Sequence, residues 1–358
     1  MGRPTKINIH LDALRHNLAE IKKLAPHSAI LAMVKSNAYG HGLERIGSAL
    51  PDADALGVAC IEEGMRLRNA NVKNPILLLE GLFSGDELSK AVEQDFMLVV
   101  HHEAQVQMLE KAQRVKPLTV WLKLDTGMHR LGFEPSQAEK MYQRLMQCDA
   151  VKKPLVLMTH FAQSESTDRA PTAKQIELFN QATAHLPGPR SLCNSGAIIG
   201  WPSAQNDWVR PGLILYGASP FSGHSGIDYQ LQPVMSLTSE LIAIHRIPQG
   251  EKVGYGGTWT CPEEMLVGVV AIGYGDGYPQ FAKSGTPVLV NGTICPLVGR
   301  VSMDMSTVDL RSQPQAKVGD PVILWGPGLP VEQVALNNNT SAYELLTRIT
   351  QRVHVVVC

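Results

Sequence analysis

The sequence predicts an α/β fold: a TIM-like (β/α)8 barrel followed by a smaller, mostly β C-terminal domain. Three observations carry this. Eight short apolar runs alternate with helix-like segments from Leu11 to about residue 217. After about residue 232 the texture changes to β-rich segments broken by Gly, Pro and Asn. The chain has 358 residues, which suits two domains at roughly 150 residues each. With 44% apolar residues it can bury a sizeable core, which excludes a disordered chain.

The elements follow in order. Leu11, Leu14, Leu18 and Ile21 form one stripe of an opening amphipathic helix. Apolar runs at residues 30–34, 56–59, 76–79, 97–100, 120–124, 155–159, 191–193 and 208–210 suit buried parallel strands. Helical segments stand between them at 62–69, 86–92, 104–114, 138–146 and 173–184. Eight βα units favour a closed barrel over an open sheet, so residues 1–232 form the expected barrel domain. The second domain, 233–358, carries β segments at 236–247, 264–272, 287–290, 306–310 and 321–324. A short helix at 342–347 precedes a closing run at 353–357.

Composition excludes several functions. Lys and Arg number 32 against 33 Asp and Glu, so no bulk charge recruits nucleic acid or an anionic membrane. Apolar stretches such as 265–272 fall far short of the ~20 residues of a membrane span. The opening MGRPTKINIHLD lacks the apolar core of a secretory signal. Six scattered cysteines with no C-x-x-C pair read as reduced thiols of a cytoplasmic protein, without a zinc site.

Ligands of such a barrel bind past the C-terminal ends of its strands. Lys35 closes the first strand; partial desolvation there would make its amine nucleophilic and able to form a Schiff base. Its bland alternative is a lysine snorkelling to water. The fifth strand carries Lys123, with Arg130 seven residues on. The sixth ends at His160, either a satisfied structural histidine or a ring that stacks on an aromatic ligand. Asn194 and Ser195 form a small polar turn after the seventh. Arg210, Pro211 and Gly212 follow the eighth, where a helix start suits a phosphate and Arg210 meets a ligand or a surface partner. In the second domain VGYGG (253–257) and GYGDGY (273–278) look like phosphate loops, yet neither clearly joins a strand to a helix. As β-turns they would still leave the phenols of Tyr255 and Tyr274 accessible.

Together these segments resemble the alanine racemases, nearly end to end. The resemblance rests on VKSNAYGHG (34–42), TGMHRLGF (126–133), Asn194-Ser195, Arg210-Pro211-Gly212, VGYG (253–256), SMDM (302–305) and Tyr343-Glu344. It implies pyridoxal 5′-phosphate as cofactor, joined to Lys35 as an imine. Tyr39, Asn194, Ser195, the backbone at Gly212 and Leu213, and Tyr343 would bind that cofactor, mostly at its phosphate. His160 would support the ring and Arg210 would face the pyridine nitrogen. Arg130 would contact the phenolic-oxygen side and substrate, held by a carbamylated Lys123. Tyr255, Tyr274 and the Met303 backbone would reach the site from the second subunit of a homodimer.

The implied reaction interconverts L-alanine and D-alanine, supplying D-alanine for peptidoglycan or catabolising alanine. Two faces of Cα need two bases, Lys35 and Tyr255. A guanidinium gives donors only, so Arg210 would hydrogen-bond the pyridine nitrogen without protonating it, favouring prompt reprotonation at Cα. The sequence departs from the family pattern at Ser36, Gly196, Gly275 and Val353-His354. The alternatives are a racemase for serine or several amino acids, a barrel-type decarboxylase, a non-enzymatic cofactor carrier and a Schiff-base aldolase. A decarboxylase would be expected to place a carboxylate where Arg210 stands, and a carrier would lack the second domain.

Overall fold

The computed structural model describes residues 2–358. Their contacts divide them into two units: Leu18–Leu215, and the segment up to Asn17 together with Tyr216–Cys358.

The N-terminal strand β1 spans Lys6–Ile9. The barrel strands follow as β2 Ala29–Met33, β3 Ala55–Val58, β4 Ile76–Leu78, β5 Met97–Val100, β6 Leu118–Lys123, β7 Val151–Met158, β8 Arg190–Ser191 and β9 Trp208–Val209. Each pairs in parallel with its neighbour, and β9 returns to β2. Between β8 and β9 the ring is nearly closed. A bridge joins Asn194 to Arg210, and the Arg210 N–H donates to the Cys193 carbonyl at 2.9 Å. β3 and β4 are buried along their whole length, as strands covered on both faces by helices must be. Helices Ile61–Asn69, Glu87–Glu93, Glu103–Lys111, Ala138–Gln147 and Ala170–Thr183 occupy the expected intervals.

The other unit is built on β10, Met235–Ile247. Its first half pairs with β1 and with β17 (Pro321–Trp325). A register shift between Leu241 and Ala243 turns its second half onto β13 (Met265–Val270), which pairs in turn with β16 (Ser306–Asp309). β11 (Lys252–Val253) and β12 (Trp259–Thr260) form a separate two-stranded ribbon in this unit. β14 (Leu289–Val290) and β15 (Thr293–Ile294) extend the sheet on one side, and β18 (His354–Val357) closes it beside β1.

Grouped by contacts, the chain divides at Tyr216. β1 lies between β10 and β18, so the first residues belong with the β unit, as does everything from Tyr216. The signal was only four residues long: Lys6-Ile7-Asn8-Ile9 alternates exposed and buried positions. Helix Val331–Asn337 was also missed, and it packs Val331, Val334 and Ala335 inward. Ile9 is fully buried in a central strand. Ile9→Ala is expected to cost about 2–5 kcal/mol, read as a lower thermal midpoint. Lys6→Ala, on the exposed face of the same strand, should be nearly neutral.

Candidate active site

The chain turns sharply after β2. Val34 is buried, Lys35 follows, and then Ser36, Asn37, Ala38 and Tyr39 all adopt left-handed backbone with φ between 53° and 55°. Left-handed backbone costs a non-glycine residue roughly 1–2 kcal/mol, so this turn must be held from outside. Glu63 does part of this, accepting the Ser36 N–H at 2.7 Å and the Ala59 N–H at 2.9 Å. His41 does more. Its ring is wholly buried, and Nδ1 donates to the carbonyls of Ala38 at 3.0 Å and Tyr39 at 2.9 Å. Burial pushes His41 down to about 4, so it is neutral at physiological pH and adds no charge. Neither Glu63 nor His41 was singled out from the sequence.

The strained turn delivers Tyr39 to the end of β9. A Cβ on Gly212 would lie 2.4 Å from the Tyr39 hydroxyl, so only glycine allows this approach. The Gly212 N–H donates to the Ser195 hydroxyl at 2.9 Å, and Leu213 opens the following 3-10 turn. Asn194 caps the short helix Ser195–Gly200 by accepting the Ala197 N–H, and it also accepts from the Ser164 hydroxyl at 2.7 Å. Tyr39, Asn194, Ser195, Gly212 and Leu213 are thus one cluster of polar side chains and backbone.

Lys123 ends β6 and is only 8% exposed. Burial pushes its amine down to about 8, and Arg210, Arg130 and Lys35 push the same way against Asp125. Lys35 is lowered by burial first and by Arg130 second, with Glu80 and Glu63 opposing. Arg210 is buried and tightly fixed. Nη1 donates to the Ser191 hydroxyl at 2.6 Å, and Nη2 donates to the carbonyls of Thr159 at 2.6 Å and Leu192 at 3.1 Å. Burial lowers its guanidinium to about 10, which leaves it protonated near neutrality. His160 lies beside it, with Nδ1 3.4 Å from Nη2. Burial, then Arg210, holds His160 well below the usual imidazole range. It is therefore neutral, and Nδ1 serves as acceptor.

Arg130 sits on an excursion between Lys123 and Phe133. The Phe133 N–H donates to the Lys123 carbonyl at 2.9 Å and the Asp125 N–H donates to the Phe133 carbonyl at 2.8 Å. Asp125 folds the loop by accepting N–H groups of Gly127 and His129, each at 3.0 Å. Nothing in the amino-acid pattern points to Gln175, a buried glutamine on helix Ala170–Thr183. Its amide accepts from the Ala162 N–H at 2.9 Å, donates to the His160 carbonyl at 3.1 Å, and reaches the Thr126 hydroxyl at 3.4 Å. It therefore ties the His160 segment to the loop that bears Arg130.

The remaining expected site residues lie in the β unit. Tyr255 occupies the turn between β11 and β12, 68% exposed, anchored by buried Val253 and half-buried Trp259. Gly254 and Gly256, at φ 74° and 72°, turn the chain on either side of it. Tyr274 follows β13 in a 3-10 turn, Met303 is 53% exposed, and Tyr343 sits in helix Ala342–Thr347. The glycine-rich segments are therefore turns, not dinucleotide loops. No group of metal-ligating side chains occurs among the described residues. Gln175→Leu leaves the Ala162 N–H and the His160 carbonyl without a partner. It is expected to cost about 1–3 kcal/mol in thermal unfolding and to speed amide exchange at Ala162.

Comparison with known proteins agrees with this geometry. Residues 9–220 match the family model "alanine racemase, N-terminal domain" and residues 234–357 match "alanine racemase, C-terminal domain". The biosynthetic alanine racemase of Escherichia coli K12 is 54% identical over 346 residues, 96% of each chain. The crystal structure of biosynthetic alanine racemase from Pseudomonas aeruginosa superposes with a TM-score of 0.97 at 43% identity over the full length of both chains. That of alanine racemase from Acinetobacter baumannii gives 0.95 at 41%, also over the full length of both. By fold, by sequence across both domains and by these relatives, the chain belongs to the alanine racemase family.

Proposed function

We propose that this chain racemises alanine with pyridoxal 5′-phosphate, as a homodimer whose active sites each draw on both subunits. The observation that carries the reading is the crowd of cations at the C-terminal face of the barrel. Lys35, Lys123, Arg130 and Arg210 act on one another there, while Glu63 and Asp125 are engaged by backbone N–H groups. Such a site suits an anionic ligand. The close approach of Tyr39 to Gly212, with Ser195 alongside, fits a phosphate next to it.

Pyridoxal 5′-phosphate, when bound, supplies an electron sink that acidifies the Cα–H bond of an amino acid. The chain supplies the rest. Lys35 has a depressed amine suited to holding the aldehyde and moving a proton at one face of Cα. Tyr255 is assigned the opposite face, contributed by the partner subunit; its exposure on the turn of the ribbon supports this. Tyr274 and the Met303 backbone are assigned to substrate, and Tyr343 to the phosphate. Arg210 remains a donor held in place by Ser191, Thr159 and Leu192, so it orients a ring nitrogen without giving up a proton. The relatives named biosynthetic support a role in supplying D-alanine for peptidoglycan. Six free cysteines support a reducing, cytoplasmic setting.

Lys123 is assigned as a carbamate. Carbon dioxide adds to a neutral amine with loss of one proton, giving an anion able to accept from Arg130. With the amine at about 8, roughly a tenth is neutral at pH 7, some 300-fold more than for an ordinary lysine. Enzyme depleted of carbon dioxide should lose activity. At fixed dissolved carbon dioxide its recovery should quicken about tenfold per pH unit below about 8 and level off above. A pH-independent recovery would remove the carbamate. The same shift has a stability sign: an unmodified charged Lys123 destabilises the fold below about 8, and this cost fades as pH rises toward 10.5.

The activity test is a panel of amino acids followed by loss of optical rotation, with alanine expected to react fastest and serine and lysine as competitors. Lys35→Ala and Tyr255→Phe should each lose at least about a thousandfold. Mixing the two inactive chains should restore about a quarter of wild-type activity, because half the random dimers carry one intact site of two. Failure to recover any activity would refute the shared site.

A further inference from the structure

The β unit holds a fully buried carboxylate, Asp276, between two arginines. Its Oδ2 accepts the Gly273 N–H at 2.9 Å. Its Oδ1 accepts from Arg3 Nη1 and lies 3.1 Å from Arg352 Nε. Both arginines continue to the loop that bears Met303. Arg352 Nη2 donates to the Asp304 carboxylate at 2.5 Å, and Arg3 Nη2 donates to the Asp304 carbonyl at 2.5 Å. The same loop is zipped to the Tyr274 turn by backbone bonds. The Tyr274 N–H donates to the Ser302 carbonyl at 3.0 Å and the Gly275 N–H to the Met303 carbonyl at 2.9 Å.

Gly275 makes the fork possible. A Cβ there would lie 2.5 Å from Arg352 Nη1 and 3.0 Å from the Met303 carbonyl oxygen. This is the position where the resemblance would have placed alanine. The C-terminal segment closes the arrangement, because Thr350 donates its N–H to the Asp276 carbonyl at 3.1 Å and its hydroxyl to the Gly275 carbonyl at 2.9 Å. A buried carboxylate is stable only when paired and hydrogen-bonded, so Asp276 recruits both arginines. Arg352 spans two carboxylates because its planar guanidinium presents several donors at fixed angles.

We propose that Asp276, Arg352 and Arg3 are positioning residues that lock the Tyr274 turn onto the Met303 loop, with Gly275 as the space that admits Arg352. The lock deepens the proposed function, since those two loops carry the residues assigned to substrate. None of the three touches substrate; each acts through the loops it holds.

The test compares Arg352→Met, Arg352→Lys, Gly275→Ala and the milder Asp304→Asn with wild-type holoenzyme. Two readouts are used: amide exchange at Tyr274 and Gly275, and KM against kcat for alanine. Arg352→Met and Gly275→Ala should raise exchange at these two amides about tenfold or more while amides in the barrel strands stay unchanged. KM should rise about five- to tenfold with kcat within about twofold. Arg352→Lys should recover only part of the loss, because an ammonium does not reproduce the planar fork. If Arg352→Met fails to fold, Asp304→Asn decides, since Asp304 is half exposed and its loss leaves Asp276 paired. Unchanged exchange in the folded variants overturns the lock, as does a fall in kcat with KM constant. If exchange accelerates while wild-type enzyme shows no alanine turnover, the lock stands and the substrate assignment falls.

Discussion

Like charges gathered in a buried place are the constraint on which this site depends. At the mouth of the barrel Lys35, Lys123, Arg130 and Arg210 converge, and burial already disfavours their charged forms. The fold tolerates them through several devices. Arg210 is held in place by a hydroxyl and two carbonyls, with donors to spare. His160 and His41 stay neutral, so two imidazoles line the region without adding charge. Lys35 and Lys123 are both shifted toward the free amine, which makes them chemically available. A bound anion and a carbamate would each relieve the remaining repulsion, so the proposed cofactor and the proposed lysine modification would answer one electrostatic problem.

Strain is the second theme. Four consecutive non-glycine residues in left-handed backbone are unfavourable by themselves, and they persist because Glu63 and His41 hold the turn. The benefit is positional. Lys35 is left at the rim, and Tyr39 is swung against Gly212, where no side chain could stand. Arg130 and Tyr255 are placed by related means: an Asx-type fold at Asp125 with Gly132 at φ 130°, and a pair of positive-φ glycines beside Tyr255.

Much of the barrel was legible because buried parallel strands leave unbroken apolar runs, and each expected strand overlaps an observed one. Lys35, Lys123, His160, Asn194 and Arg210 stood out for a related reason, since they lie at or just past strand ends. β1 was not, because four alternating residues carry little periodicity and its partners lie more than two hundred residues away. Nor was the left-handed turn: only Asn37 leans toward that backbone, Ser36 and Ala38 do not, and the groups that enforce the turn are remote or follow it. Gln175 and Asp276 were invisible for the same reason. One polar residue on a helix, or one Asp in a glycine-rich loop, shows its partners only after folding. Gly275 departs from the family pattern, and in the structure a Cβ there would crowd Arg352 Nη1.

The central claim is that the depressed amine of Lys35, not its buried neighbour Lys123, holds the aldehyde of the cofactor. The most direct measurement is borohydride reduction of protein loaded with pyridoxal 5′-phosphate, followed by peptide mass mapping. A single pyridoxyl adduct on the peptide containing Lys35 is the predicted result. An adduct on Lys123, or none on any lysine after saturating cofactor, would contradict the account.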